Sequence, residues 1–269
     1  MSGSRICPNC NSLIDAQAGE CPFCQSSVGA ARLRRAVKGD SITDKLMPEG
    51  RMAVALLLLV NSALFVAIHL ANSGALPTYG AKWLPAILNG DWYRLITAGY
   101  LHVQIYHILM NMMSLYNLGP IVEEIYGTRR MFTLYTAATI GGFFLSALWS
   151  PRTHSLGASA GIFGLLGALI AYGVHNKSFI AQHLRTQCLI NAGIGLMMGW
   201  VLPMIDNAAH LGGLAGGFVV AYLADVPRAA NDAREKLWGL AAIVSLLLTL
   251  YSFLLLRARL LESNAGLFE

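Results

Sequence analysis

The stretch GASAGIFGLLGALIAYGV, residues 157–174, is apolar enough to enter a membrane, yet it opens on two glycines and a serine that do nothing for helix propensity. A membrane helix tolerates such a start only where something other than helix formation demands it. What Ser159 does there is settled by the segments on either side. Runs with few or no charges recur at 52–71, 95–121, 131–149, 156–174, 186–205, 207–224 and 237–256. That pattern implies seven membrane helices. Gln187, Asn191 and Pro203 interrupt the fifth run, so a six-span count is the alternative. Composition agrees with a membrane chain. Of the 269 residues, 55% are hydrophobic and only 12% charged, against about 25% charged in ordinary soluble domains. The mean hydropathy is +0.54.

Lysine and arginine set the orientation, because cationic loops stay on the cytoplasmic side. With the N-terminus inside, the inner segments hold Arg5, Arg32, Arg34, Arg35, Lys38, Lys45, Arg51, Arg129, Arg130, Lys177, Arg185, Arg228, Arg234 and Lys236. The outer ones hold only Lys82, Arg94, Arg152, Arg257 and Arg259. The basic balance therefore faces the anionic inner leaflet of the lipid bilayer, and no nucleic acid partner is expected. About fifty polar residues precede the first run, which reads as a retained segment and not as a cleaved signal. A multi-pass plasma (inner) membrane protein follows, with its N-terminus cytoplasmic.

Residues 7–24, CPNCNSLIDAQAGECPFC, place Cys7, Cys10, Cys21 and Cys24 in two CxxC knuckles suited to a tetrahedral metal. In a reducing cytoplasm a structural zinc ion is the expected occupant, with two disulfides as the competing reading. So short a piece cannot bury a useful core, and metal would supply most of its folding energy. The segment resembles a zinc ribbon. The expected organisation is a module at 1–25, a basic linker at 26–50, a six-helix core at 51–225, and an inner loop, seventh helix and tail at 226–269. Cys188 stands alone in a span and reads as apolar filler.

Polar groups at membrane depth are functional candidates by default. Ser159 and His210 each lie near the start of a span that enters from outside, hence at similar depth. That is the first requirement of a serine nucleophile with its general base. The glycines of HLGGLAGG, Gly212, Gly213, Gly216 and Gly217, mark a face where another helix approaches closely. The wheel alone does not bring Ser159 to His210. A helix regular from residue 157 turns Ser159 away from Gly157, Gly161 and Gly164, whereas an irregular start at Gly157 changes the angle. In HVQIYHILMNMMS, His107, Asn111 and Ser114 form one polar stripe, and an imidazole with a carboxamide one turn away can donate to an oxyanion. Ser114 reads as an ordinary interhelical donor and His102 as structural. Helix capping by Ser159 and interhelical bonding by His210 remain the plain alternative. Asp206, one turn before His210, reads as a helix N-cap and not as a triad member.

Taken together, HILMN at 107–111, GASAG at 157–161 and HLGG at 210–213 resemble, in chain order as well as in residues, the motifs of rhomboid intramembrane serine proteases. The resemblance covers about residues 50–224. It implies an all-α polytopic fold of six helices plus a seventh, with Ser159 as nucleophile and His210 as base. His107, Asn111 and the Ser159 N–H would line the oxyanion hole. Phe163 would pack on the catalytic imidazole, and Gly157 would let substrate backbone approach. Single-span membrane proteins are the implied substrates, cleaved near the outer face, with no cofactor for catalysis. WYR at 92–94 resembles the family's first loop, although its Trp-Arg pair is here Tyr93-Arg94. Glu123 and Gly127 resemble an ExxxG packing element. A relative that binds client helices without cutting them is the competing class.

Overall fold

The computed structural model describes residues 4–7, 10, 12–25, 51–70, 74–202, 204–224, 226 and 233–265. The expected basic linker at 26–50 lies outside them. Two short antiparallel strands, β1 (Ser4–Ile6) and β2 (Leu13–Asp15), pair Ile6 with Leu13 and Ser4 with Asp15. Among the described residues, the named elements that follow are helices: α1 (Met52–Leu70), α2 (Ala75–Gly80), α3 (Leu84–Leu88), α4 (Arg94–Thr97), a 3-10 turn at Ala98–Tyr100, α5 (Ile105–Trp149), α6 (Ser159–His175), α7 (Phe179–Val201), α8 (Asn207–Ala224) and α9 (Ala233–Ala265). Among the described residues, four helices (α1, α5, α8 and α9) are long and apolar enough to cross a membrane. α6 is apolar but shorter. The chain is thus an all-α polytopic membrane protein with a small N-terminal β-hairpin.

Several boundaries differ from those read in the sequence. The 45-residue α5 merges two helices across Gly127, whose φ of 78° and ψ of 160° break the helical path. The run expected from 95 enters its long helix only at Ile105, because 94–100 is taken up by α4 and the 3-10 turn and Leu101 is extended. The fifth run begins seven residues early, at Phe179, where the Ser178 hydroxyl caps the helix by accepting from Ala181 N–H at 3.3 Å.

α6 occupies the centre. Every residue from Ala160 to Gly173 is buried, as a helix apolar on all sides must be. α8 packs on it most closely, and both lie against α5. The seam is made by missing side chains. A Cβ on Gly213 would strike the Ala160 backbone and one on Gly217 the Gly164 backbone. One on Gly142 would come within 2.6 Å of Ala209 O and 2.7 Å of Ala160 Cβ. Backbones approach this closely only where glycine permits it.

The loops gather at two opposite ends. At one, buried Lys82 reaches the carbonyls of Ser150 and Thr153, each at 3.1 Å, closing the C-terminal end of α5. Burial holds its ammonium pKa below the usual lysine value, and Asp206 opposes that shift. Here α9 meets the first loop, with Tyr251 against Trp92 at 6.1 Å and Phe253 edge-on to Tyr100 at 5.6 Å. At the other end, Arg130 donates twice to Glu235, at 3.0 and 2.8 Å, and lies 5.4 Å over Trp238. The Glu123 carboxylate accepts from Ala53 and Val54 N–H at 2.9 and 3.0 Å, satisfying first-turn donors of α1. α9 is thereby tied to the core at both ends.

Candidate active site and metal centre

The segment leading into α6 is anchored twice before the helix begins. Gly157 N–H donates to Ala98 O at 2.8 Å, and Ala158 N–H donates to His102 Nε2 at 3.2 Å. Between these bonds Gly157 has a φ of 131°, a conformation L-residues rarely adopt. The helix therefore starts at Ser159, with Ala158 as its N-cap residue. Ser159 is its first helical residue and does not occupy the N-cap position.

His210 lies in the first turn of α8, 6% exposed. Phe163, one turn along α6 from Ser159, stacks on its ring with centroids 4.0 Å apart and planes 14° from parallel. A Cβ on Gly195 of α7 would lie 2.5 Å from Phe163 Cζ, so the phenyl ring is held from its other side as well. Ser159 and His210 thus stand at the same end of two helices in backbone contact, with a shared aromatic fixing the imidazole. Among the described residues no hydrogen bond joins them, and His210 Nδ1 is buried without a partner. Asp206 caps α8, its carboxylate accepting from Ala209 N–H at 3.0 Å and from the Ser146 hydroxyl.

His107 and Asn111 come to the same place from α5. A Cβ on Gly157 would sit 2.5 Å from His107 Cε1 and 3.7 Å from Asn111 Nδ2, so both side chains border the turn before Ser159. The glycine makes room for an imidazole of the chain itself. Ser114 instead donates to Met110 O within its own helix, at 2.8 Å.

The residue that sequence reasoning undervalued is His102. It is fully buried, edge-on to His107 at 5.0 Å, with Nε2 3.1 Å from Asn111 Nδ2. Because the Ala158 N–H can only donate, Nε2 must carry a lone pair. Asn111 must then present its NH2 group to it, which leaves that group's second hydrogen for the Gly157 side. One buried imidazole thus orients both the carboxamide and the turn that carries Ser159. The only signal in the sequence is a histidine nine residues before Asn111, at the end of a loop; its second partner, Ala158, is 56 residues away.

Near this end His154 stacks on Trp83 at 5.1 Å. Its pKa is held below the usual histidine value by burial and by the charges of Arg94 and Lys82.

The hairpin forms a second centre. Cys7, Cys10, Cys21 and Cys24 bring their sulfurs within 4.8 Å of one another, and all are free thiols. Cys7–Cys24 and Cys10–Cys21 sulfur separations are 3.7 and 3.5 Å. Four thiolates at about 2.3 Å around a tetrahedral zinc would stand roughly 3.8 Å apart, so the cluster fits such an ion closely. Burial pushes the Cys10 thiol up to about 11, a proton that a metal would have to displace.

A glycine-sealed helical core with serine, histidine and asparagine converging at one end defines a class of polytopic membrane protein, and sequence comparison names it. The Rhomboid domain pattern matches residues 89–226, and the chain belongs to the rhomboid family. It is 37% identical over 166 residues to "Rhomboid protease GluP" of Bacillus subtilis, covering 62% of this chain and 32% of that protein. It is 34% identical over 155 residues to "RHOMBOID-like protein 6, mitochondrial" of Arabidopsis thaliana, covering 56% of this chain and 50% of the relative. "RHOMBOID-like protein 1" of the same plant is 39% identical over 134 residues, 49% of this chain and 34% of the relative. The chain therefore spans a third to a half of the length of these relatives.

Proposed function

We propose that the chain is an intramembrane serine endopeptidase in which Ser159 is the nucleophile and His210 its general base. The observation that carries this reading is the α6–α8 seam, which sets both residues at one end of touching helices with Phe163 stacked on the imidazole. Ser159 Oγ attacks a substrate carbonyl while His210 takes its proton. His107, Asn111 and the Ser159 N–H donate to the oxyanion as it forms. His210 then protonates the departing amine, and water hydrolyses the acyl-enzyme by the reverse sequence. A helical carbonyl is engaged by its own hydrogen bond, so the segment cut must unwind. Single-span proteins with glycine or small residues at the outer helix top are the proposed substrates.

In this reading residues 51–225 form a rhomboid six-helix core, and 226–269 add the seventh helix. The two limbs of α5 are separate spans, and α6 and α7 also cross. Residues 1–25 form a zinc-ribbon-like module with a structural Zn2+ on Cys7, Cys10, Cys21 and Cys24, joined by the linker 26–50. The N-terminus is cytoplasmic and the active site opens towards the outer face of the plasma (inner) membrane.

A client-binding protein without turnover is the second reading. The missing Ser159–His210 hydrogen bond favours it, although such bonds are often loose before substrate binds. Labelling with a fluorescent fluorophosphonate separates the two. If the chain is the peptidase, wild type should label and both Ser159→Ala and His210→Ala should not. Equal labelling of wild type and Ser159→Ala would remove Ser159 as the nucleophile.

A further inference from the structure

The N-terminal hairpin does not stand free of the helices. Ile6 packs against the main apolar core. Its directly paired neighbour, Leu13, has its backbone beside the Tyr172 hydroxyl near the end of α6. A cavity of about 520 Å3 separates the two bodies elsewhere, with Cys10, Ser12 and Phe23 on one wall and Tyr172, Asn176 and Phe179 on the other.

Tyr172 passes the contact on. Its hydroxyl accepts from Asn176 Nδ2 at 3.0 Å, and Asn176 Oδ1 accepts from Ser178 N–H at 2.9 Å. Ser178 caps α7. Gln182 ties the turn from the other side, donating to Gly173 O and Asn176 O at 2.6 and 2.7 Å. A hydrogen-bonded chain therefore runs from Tyr172, beside the hairpin rung, to the first turn of α7. That rung adjoins the metal centre. Cys7 follows Ile6 directly, and its N–H bonds Ser12 O at 2.8 Å. Among the described residues the hairpin's own buried cluster is Cys7, Ile14 and Cys21, too little to hold the rung in shape without another source of folding energy.

We propose that the four-cysteine module is a metal-dependent clamp on the α6–α7 turn. With metal bound, the Ile6–Leu13 rung is rigid and docks on Tyr172, ordering the end of α6 opposite Ser159 and the start of α7. With the metal removed, the rung is lost and the turn is released. The clamp is independent of the peptidase reading, since it needs neither Ser159 nor His210.

The test uses the full chain in detergent as purified, its zinc content measured, then treated with a zinc chelator, beside Cys21→Ser and Tyr172→Phe. Amide hydrogen exchange is followed throughout. One zinc per chain is expected. Chelation or Cys21→Ser should speed exchange at least tenfold both at 12–18 and at 176–182, leaving 94–100 unchanged. Tyr172→Phe removes only the hydroxyl. It should keep the zinc yet speed exchange at 176–182. Absence of bound zinc would overturn the proposal. So would a hairpin that unfolds on chelation while 176–182 exchanges as before, because the module would then be a tethered neighbour and not a clamp.

Discussion

Gly157 carries two demands at once. Its φ of 131° excludes ordinary side chains, and the space a Cβ would fill belongs to His107. Gly157→Ala should therefore tilt the start of α6 or push His107 aside. Fluorophosphonate labelling of Ser159 is expected to slow at least 100-fold, of the order that a misplacement of about 1 Å produces. His102 acts at one remove, by orienting Asn111 and Ala158. His102→Ala should slow labelling at least tenfold. His102→Gln, which can again offer an acceptor, should restore part of the rate, whereas a purely packing role would show no such rescue. Ser159 and His210 are legible in the sequence because span alternation brings both to one depth. His102 is not, because its partners come from α5 and from the turn before α6, and no local pattern joins them.

At the scale of elements, the α6–α8 seam decides whether any site exists. Gly217 and Gly164 touch through their backbones, so Gly217→Val puts a branched side chain where no rotamer can relieve it. A loss of about 3 kcal/mol or more is expected, read as a lower thermal midpoint in detergent, with labelling lost in step. The GxxxG spacing of α8 makes this face legible in the sequence. The angle at which α6 enters is not, because a regular helix from residue 157 would turn Ser159 away. The structure links Ser159 to the imidazole through Phe163, one turn along the same face of α6 and stacked on His210, while Gly157, at a φ of 131°, lies outside the helix. The early start of α7 has a local cause: the Ser178 cap outweighs the polar residues that make its first turns look unlike a span.

Across the whole molecule, α9 braces the core from both ends. Arg130 is 2% exposed and Glu235 is its bidentate partner, so Arg130→Met removes two charged donors from that carboxylate. Glu235 keeps some solvent contact, so losing these charged hydrogen bonds costs about 1.5–3 kcal/mol. The thermal midpoint should fall while the labelling rate of the folded fraction stays near wild type, because Ser159 lies at the other end of the bundle. Charge distribution makes the segregation of the two ends legible in the sequence. Which side chains join α9 to the core is not legible, since Arg130 and Glu235 lie 105 residues apart.

The most direct measurement is cleavage of a single-span reporter, with glycine at its outer helix top, by the purified chain in proteoliposomes. Wild type should release the reporter's outer domain by a cut near the membrane surface, identified by mass. Ser159→Ala and His210→Ala, folded to the same thermal midpoint, should release none. A folded wild type that co-purifies with the intact reporter and never cuts it would contradict the proposed chemistry and leave a client-binding rhomboid.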